Sequence, residues 1–165
     1  TAKPCLYLAN TDEGDPGGDG ALAAALRAAK GAERVVPVSV EIEEEISELP
    51  PEDQDEFLKG LGLEETALKL VVTACYRLLD LITFYTIANE KLSACQLRQG
   101  STAETAAGTI HSDMEKGFIR AEVMSLADLV EHGSRHALHD HGLIHTVGRD
   151  YVVQDKDVLQ VLFKA

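Results

Sequence analysis

The spacing of apolar residues switches from a helical period to a period of two near Asp80, after the longest periodic segment of the chain. Before it, the run LEETALKLVVTACYRLLDL repeats apolar residues every three or four positions, which is typical of one face of a helix. After it, LITFYTI and EKLSACQL follow a period of two, and the dipeptide Ala88-Asn89 between them favours a tight turn. The sequence therefore predicts two regions, residues 1–80 and 81–165, with a β-hairpin opening the second.

The first region begins with a strand–helix–strand pattern. CLYLA predicts a short buried strand, ALAAALRAAK a helix that stops at Gly31, and VVPVSV a second strand. Strands joined by a helix over so short a span are parallel, so we expect a layered α/β arrangement. EIEEEISEL and PEDQDEFLKG predict two further helices. The long periodic segment that ends at Asp80 predicts the best-buried helix of the chain.

The second region predicts a mixture of short strands and helices. After the hairpin, a helix runs from Thr102 to Ile110 with Ser101 or Thr102 as its cap, and FIRAEVMS forms a strand. SLADLVEHG and SRHALHDHG predict two short capped helices, and DYVVQDKDVLQVLFKA predicts two last strands about a polar QDKD turn. This composition favours a small α+β domain.

The net charge limits the choice of partners. The formal charge is −13, and residues 1–80 hold 7 Lys and Arg against 17 Asp and Glu, while residues 81–165 hold 8 against 11. This excess of acid argues against DNA, and any RNA contact needs a local basic patch. The longest near-apolar run is broken by Arg77 and Asp80, so no membrane span of roughly 20 residues is predicted.

Two segments are rich in residue types that bind metal ions, and we interpret both as solvent-exposed segments rather than metal sites. The loop from Asp12 to Gly20 interleaves acids with glycine, but a calcium loop would need an oxygen ligand at Gly14, so a flexible solvated loop is expected. In SRHALHDHGLIH, only His136 and His139 share a helix face, which favours a polar surface over a metal site.

The three cysteines are interpreted together. Cys5, Cys75 and Cys95 are an odd number at wide spacing, which predicts free, buried side chains in a reducing cytoplasm rather than disulfides or a zinc site.

The residues after the first strand are candidates for reading a nucleotide base. P-loop GTP-binding proteins present an Asn-Lys-x-Asp sequence there, whose Asp accepts two hydrogen bonds from guanine. Here the positions hold Asn10, Thr11, Asp12 and Glu13, without the lysine. The amide of Asn10 offers one donor and one acceptor, which suits adenine better. An ordinary strand-to-loop junction is the alternative.

The sequence has no phosphate-binding loop of the G-x-x-x-x-G-K-[ST] type. That loop holds phosphates and magnesium, and phosphoryl transfer depends on such positioning. We therefore expect no nucleotide hydrolysis by this chain alone.

Six segments, in order, resemble the C-terminal part of the YchF-type, Obg-like ATPases: KPCLYLANTDE, VVPVSVEIEEEISEL, EFLKGLGLEE, LLDLITFYT, GSTAETAAGTIHSDMEKGFIRAEV and DYVVQDKDV. The resemblance implies that residues 1–80 are an α/β remnant of a P-loop NTPase domain. It implies that residues 81–165 are a TGS domain, an α+β module with the ubiquitin-like β-grasp fold.

The resemblance also implies a site, a cofactor and a partner. Asn10, Thr11, Asp12 and Glu13 would surround adenine, and Ser39 would lie in a second loop beside the base. The cofactor would be ATP, with magnesium in the full-length protein and no tight binding to this chain alone. The partner would be the ribosome in the cytoplasm, reached through ribosomal RNA by the TGS domain. Four cations of the less acidic half are candidates for that contact: Lys91, Arg98, Lys116 and Arg120.

Some positions depart from the family's pattern and leave an alternative open. Ser93-Ala94-Cys95-Gln96 stands where a Trp-containing stretch is usual, Met114 replaces a Phe, and the turn reads QDKD rather than QDGD. The alternative is a stand-alone β-grasp binding or adaptor module without a nucleotide role.

Overall fold

The structure, a computed structural model, describes residues 3–88 and 91–164. The chain divides into two compact units, residues 3–79 and residues 80–164, and each is described by itself below. Within the described residues, no helix has the length and apolar character needed to cross a membrane.

The first unit is built on two short parallel strands. β1 (Tyr7–Asn10) pairs in parallel with β2 (Val35–Val38), so the predicted strand–helix–strand unit is confirmed. Helix α1 (Ala21–Lys30) joins them, followed by a single 3-10 turn. The helix ends at Gly31 because this residue adopts φ +94°, a conformation open to glycine, and its N–H donates to the Arg27 carbonyl.

Two amphipathic helices follow and form the small core of the first unit. The acidic α2 (Val40–Glu48) buries Ile42 and Ile46 on one face, and α3 (Pro51–Gly60) buries Leu58 against them. Proline at the first position of α3 suits a helix start, because that N–H has no partner inside the helix.

Helix α4 (Ala67–Leu78) corrects the prediction that it is the best-buried helix, because none of its residues is buried. Leu68 is 68% exposed and Val72 is 48% exposed. The period of a sequence identifies the apolar face of a helix, but a two-stranded sheet is too small to cover that face. The start of α4 is held by a polar link, in which the Glu43 carboxylate accepts from the N–H groups of Ala67 (2.6 Å) and Leu68 (3.3 Å).

The second unit contains one five-stranded sheet in the order β4-β3-β7-β5-β6. Its strands are β3 (Leu81–Ala88), β4 (Lys91–Arg98), β5 (Phe118–Ser125), β6 (His145–Val147) and β7 (Asp157–Phe163). The central pair β3 and β7 is parallel, and the other pairs are antiparallel. The predicted hairpin is confirmed, although Ala88 belongs to β3 rather than to the turn, and Asn89 lies outside the described residues.

The two faces of this sheet carry separate cores. On the first face, α5 (Ala103–Ile110) packs against Phe84, Leu97 and Leu159, and the short α6 (Ser112–Lys116) follows it. On the second face, α7 (Leu126–His132) and α8 (Arg135–Asp140) pack against Met124 and Val158. Helices α5, α7 and α8 were predicted, and Thr102, Ser125 and Ser134 cap them through their hydroxyl groups, whereas α6 was not predicted.

Three predictions about this unit and the cysteines are corrected. The last segment contains one strand rather than two, because Val152 makes only an isolated bridge with Thr102. The short strand β6 was not predicted, since three residues are too few to show a usable period. Cys5 is exposed because it precedes β1, and Cys75 and Cys95 are half-buried; all three are free. Burial raises the pKa of the Cys95 thiol.

Candidate functional site

The end of β1 and the turn after β2 lie side by side. The Thr11 N–H donates to the Val38 carbonyl at 2.9 Å and thereby extends the parallel pairing by one residue. Asn10 Oδ1 accepts from the Val40 N–H at 3.4 Å, across thirty positions of sequence. The carboxyl ends of neighbouring parallel strands meet at the same edge of a sheet, which is why the loop after Asn10 and the Ser39 turn meet.

Two hydroxyl groups at this edge are buried without a partner. Ser39 is only 4% exposed, and neither its Oγ nor Thr11 Oγ1 makes a hydrogen bond within the described residues. A buried hydroxyl without a partner costs about 1–3 kcal/mol. Such atoms call for an explanation, and one explanation is a group that binds there.

Two hollows open beside these residues. One, of about 340 Å³, is lined by Asn10, Thr11, Asp12, Val40 and Glu41. The other, of about 510 Å³, shares the first three residues and extends along the start of α1. Both volumes fall in the range of small-molecule sites, about 300–1,000 Å³.

Hydrogen bonds connect the glycine-rich loop after Asp12 to the start of α1, and the expected flexibility of this loop stays a prediction. The Asp15 carboxylate accepts from the N–H groups of Asp19 (2.7 Å) and Gly20 (2.9 Å). The Arg27 guanidinium donates to the carbonyls of Gly17 and Gly18. These contacts place the loop next to the start of α1.

The five predicted base-site residues are placed differently. Asn10, Thr11 and Asp12 line both hollows, and Ser39 lies buried next to Val40. Glu13 is exposed and lines neither hollow. Val40 and Glu41 were missed, although their position directly after Ser39 was a usable signal.

The smaller hollow offers hydrogen-bonding groups to a bound molecule. Asn10 has one amide oxygen that already accepts from Val40 and an amide nitrogen that makes no hydrogen bond within residues 3–88 and 91–164. The Thr11 hydroxyl adds a further donor or acceptor, whereas the buried Ser39 hydroxyl lies behind Val40 and lines neither hollow. The sequence offers no phosphate-binding loop beside these residues.

The four predicted RNA-contacting cations do not share one surface. Side chains alternate along a strand, so Lys91 projects to the same face as Leu97, while Arg98 projects to the opposite face. Arg120 lies on β5 opposite Leu162, three strands from Arg98, and Lys116 ends α6.

Three cations lie around the start of β5, at a place that sequence reasoning did not find and that we call the β5 corner. The Lys164 N–H donates to the Gly117 carbonyl at 2.9 Å, and the Arg149 guanidinium reaches the Phe118 carbonyl at 3.5 Å. The β5 corner therefore comprises Lys116, Arg149 and Lys164. Arg120 is not part of it, because its neighbour Ala121 faces the core with α5 and Arg120 projects to the other face of the sheet. Arg149 is also paired with Glu104, at 3.2 Å. Only the pairing of β5 with β7 brings these distant positions together.

The histidine-rich helix is a surface feature, as predicted. His136 and His139 are exposed, and each has a ring nitrogen 3.8 Å from an Asp140 carboxylate oxygen. Over the described ranges, no group of three or more His, Cys, Asp and Glu residues is arranged to hold a metal ion.

Comparison with known families identifies the second unit. Residues 81–164 match the family YchF-GTPase_C, described as a protein of unknown function (DUF933). The chain belongs to this family. Among curated YchF-family relatives, the "Ribosome-binding ATPase YchF" of Escherichia coli O157:H7 is 40% identical over 164 residues, which cover 99% of this chain and 45% of that protein. The protein of the same name from Bacillus subtilis (strain 168) is 39% identical, with 99% and 46% covered.

A solved structure of the same family matches the fold. The "Schizosaccharomyces pombe YchF GTPase" aligns with a TM-score of 0.82 and 28% identity, covering 98% of this chain and 44% of that one. The chain thus spans less than half the length of the YchF-family relatives it matches. It resembles their C-terminal part and has an α/β fold with mixed sheets and helices.

Proposed function

We propose that this chain is the C-terminal part of a ribosome-associated, ATP-preferring NTPase of the cytoplasm. Its first unit would belong to a P-loop nucleotide-binding domain, and its second unit would be a TGS docking domain. The names of the YchF relatives, which describe ribosome-binding ATPases, support both the partner and the nucleotide. The phosphates and magnesium would be held by other parts of the longer protein.

The observation that carries the nucleotide proposal is the contact between Asn10 and the turn after Ser39. The 3.4 Å hydrogen bond from Val40 N–H to Asn10 Oδ1 brings two loops to one hollow, with the Thr11 and Ser39 hydroxyls buried beside it. In this site Asn10 orients the adenine edge, and the Thr11 hydroxyl supplies a further hydrogen bond. Glu13 completes the loop without contacting the base, whereas Asp12 lines the hollow while its Oδ1 accepts from the Gly14 N–H at 3.0 Å.

The β-grasp assignment of the second unit rests on strand order. A β-grasp sheet has its first and last strands side by side and parallel at the centre, with a helix across one face. Here β3 and β7 are the first and last strands, they are parallel neighbours, and α5 packs across one face. The alternative of an adaptor module without a nucleotide role shares this fold, so only the first unit separates the two proposals.

Nucleoside binding tests the base site. Adenosine and guanosine are titrated separately into the isotope-labelled chain, and amide chemical shifts are followed. We expect adenosine to shift the signals of Asn10, Thr11, Ser39 and Val40 more than guanosine does. Asn10→Asp should reverse the preference, because a carboxylate accepts from both N–H groups of guanine.

Glu13→Gln is the matched control for Asn10→Asp, because Glu13 belongs to the same loop but is exposed and lines neither hollow. It should leave the adenosine response unchanged. Shifts of equal size for both nucleosides, or shifts confined to the second unit, would remove the nucleotide proposal and favour the adaptor module.

For the ribosome we propose the β5 corner as the RNA contact. Lys116 and Lys164 make no ion pair within the part of the chain that the structure describes, so their charge is available to phosphates. Lys91, Arg98 and Arg120 project elsewhere and have no part in this corner. We expect co-sedimentation with ribosomes to weaken with salt, and Lys116→Glu with Lys164→Glu to reduce the salt dependence by about one unit of slope per lost contact.

The control for the β5 corner is the double reversal Lys30→Glu and Lys59→Glu, which changes the net charge equally in the first unit. It should leave co-sedimentation close to that of the unaltered chain. If both double variants lose binding equally, the bulk charge of the chain and not the corner determines association.

A further inference from the structure

A row of four side chains crosses the second face of the sheet beside the turn between α7 and α8. Leu92 lies opposite Ile87, and Glu122 lies opposite Gln160. The parallel strands β3 and β7 join these two pairs, because Ile87 and Gln160 each follow two residues after the paired Tyr85 and Val158. Neighbouring strands are about 4.8 Å apart. The row therefore contains, in order across the sheet, Leu92, Ile87, Gln160 and Glu122.

A cavity of about 570 Å³, which we call the row cavity, opens between this row and the turn from Gly133 to His136. Its apolar part is formed by Ile87, Leu92 and Leu129, and Leu92 is 44% exposed there. The volume lies within the range of small-molecule sites, which combine apolar walls with a few polar groups. The apolar part of the row cavity suits a hydrocarbon side chain.

Gln160, inside the row, supplies an acceptor without a partner. Its side-chain oxygen Oε1 is buried and makes no hydrogen bond within residues 3–88 and 91–164. A buried amide oxygen without a donor costs free energy, and an N–H group of a ligand removes that cost. Gln160 separates Ile87 from Glu122 in the row, so this donor belongs where the apolar part of the cavity ends.

An ion pair lies at the same end of the row cavity. A terminal nitrogen of the Arg135 guanidinium donates to the Glu122 carboxylate, and both residues line, with Gln160, an adjoining hollow of about 170 Å³. Neither side chain makes another hydrogen bond within the described part of the chain. A guanidinium has further N–H donors and a carboxylate has further lone pairs, so the pair can bind a negative and a positive group side by side.

A free α-amino acid has the complementary set of groups. Its ammonium can donate to Gln160 Oε1 and to the Glu122 carboxylate, while its carboxylate accepts from the unused N–H groups of Arg135. One strand spacing, about 4.8 Å, separates Gln160 from Ile87, and an apolar side chain of leucine size spans it. A longer side chain such as that of phenylalanine extends toward Leu92.

Other small ligands match only part of this set. The first residue of a peptide has the ammonium without the carboxylate, and the last residue has the carboxylate without the ammonium. Each would leave one partner of the ion pair unused. A small amino acid such as alanine satisfies the charges but leaves the apolar part of the cavity without a contact.

We propose that the second unit binds a free α-amino acid with a large apolar side chain in the row cavity. The apolar part of the cavity contacts the side chain, Gln160 and Glu122 bind the ammonium group, and Arg135 binds the carboxylate. These residues all belong to the second unit, whereas the proposed base site belongs to the first, so either proposal can fail alone.

Titration of L-leucine and L-phenylalanine into the full isotope-labelled chain tests the proposal. Each is added up to about 10 mM, about ten times the concentration that half-fills a site with a Kd of about 1 mM. We expect saturable amide chemical-shift changes at Ile87, Leu92, Gly133 and Gln160. L-Alanine should bind about tenfold more weakly than L-leucine, because it buries fewer carbon atoms.

Two analogues of leucine separate the charged groups. Leucine amide lacks the carboxylate and N-acetylleucine lacks the ammonium, so each should bind at least about tenfold more weakly than leucine. Arg135→Gln should weaken leucine about tenfold without weakening leucine amide. Glu122→Gln should weaken leucine without weakening N-acetylleucine, and Gln160→Leu should weaken leucine about fivefold.

The matched control is Arg98→Gln. Arg98 projects to the same face of the sheet as Leu92, because side chains alternate along β4, but it does not line the row cavity. This substitution removes the same charge as Arg135→Gln and should leave leucine binding unchanged. The analogue series uses the unaltered chain, so it decides the matter even if a substitution displaces the turn between α7 and α8.

Any of four results contradicts the proposal. They are the lack of a saturable change with both amino acids, changes confined to the first unit, equal losses in Arg135→Gln and Arg98→Gln, and an analogue that binds as tightly as leucine. Tight binding of leucine amide would identify the first residue of a peptide as the ligand. Tight binding of N-acetylleucine would identify a simple carboxylate or the last residue of a peptide.

Discussion

The two units differ in how fully they bury their apolar residues. The first has a sheet of two four-residue strands and a core of three buried residues between α2 and α3, while Leu22 in α1 is 90% exposed. The second has five strands, and each face of its sheet carries a core. A parallel sheet is normally covered on both faces, so the first unit has the composition of a layered domain without its full set of layers.

Core truncation gives the largest expected contrast between the units. Phe84 is fully buried in the second unit, so Phe84→Ala should lower the free energy of unfolding by about 3–5 kcal/mol. Leu22→Ala in the first unit should cost almost nothing, because the side chain has no packing to lose. Urea unfolding followed by circular dichroism measures both. Equal costs would mean that the first unit is packed as well as the second.

Substitution of Gly117, directly before β5, gives the next largest expected loss of stability. A Cβ on Gly117 would lie 2.1 Å from the Lys164 carbonyl oxygen, in a backbone contact that cannot move aside. Gly117→Ala should therefore cost about 2 kcal/mol or more. The control is Gly148→Ala, where the space around an added Cβ is open. Thermal unfolding should separate the two variants, and identical midpoints would show that the end of β7 is loosely held.

In the first unit, a hydrogen-bonded carboxylate rather than apolar packing holds the start of α4. Glu43→Ala removes the carboxylate that accepts from two N–H groups at the start of α4, and about 1–2 kcal/mol of local stability should be lost. Amide hydrogen exchange of residues 67–70 should speed up. Glu44→Ala, an exposed neighbour in α2, should leave that exchange unchanged. If exchange in α4 is insensitive to Glu43, apolar contacts hold the helix after all.

The smallest effect expected at neutral pH concerns Tyr151 in the second unit. Burial, with the hydrogen bond of its hydroxyl to Asp157 (2.8 Å), raises the pKa of Tyr151 to about 12. A raised pKa means that the folded state holds this proton more tightly, so the contribution to stability is present below pH 10 and is lost as the pH rises through 12.

Tyr151→Phe should therefore cost about 1 kcal/mol at pH 8 and lose less stability than the unaltered chain between pH 10 and 12. Unfolding in urea at a series of pH values measures this difference. Parallel pH curves for the two proteins would show that the phenol proton is not coupled to folding.

Sequence reasoning succeeded where the signal is local. The helix that stops at Gly31, the stripe of Ile42 and Ile46, and the alternating hairpin each follow from residues within one element. The closeness of Asn10 and Ser39 could also be predicted from the sequence, because neighbouring parallel strands bring their carboxyl ends to the same edge of a sheet.

The errors concern contacts between distant positions. The period of α4 identified an apolar face but not whether another layer covers it. Lys91 and Arg98 looked like members of one basic surface, yet strand alternation separates them, and the pairing of β5 with β7 joins Lys164 to Lys116 instead. Register and layer coverage depend on the whole sheet, so no short pattern encodes them.

The central place of β7 affects how the second unit is made. β7 is synthesised after all other strands of its sheet, yet it lies between β3 and β5. During translation, two pairs of strands, β3 with β4 and β5 with β6, therefore precede it. Each pair exposes an edge whose backbone N–H and C=O groups find their partners only on β7. Unpaired edges promote aggregation, so the nascent chain is most vulnerable just before its last strand emerges, and docking of that strand closes the whole sheet in one step.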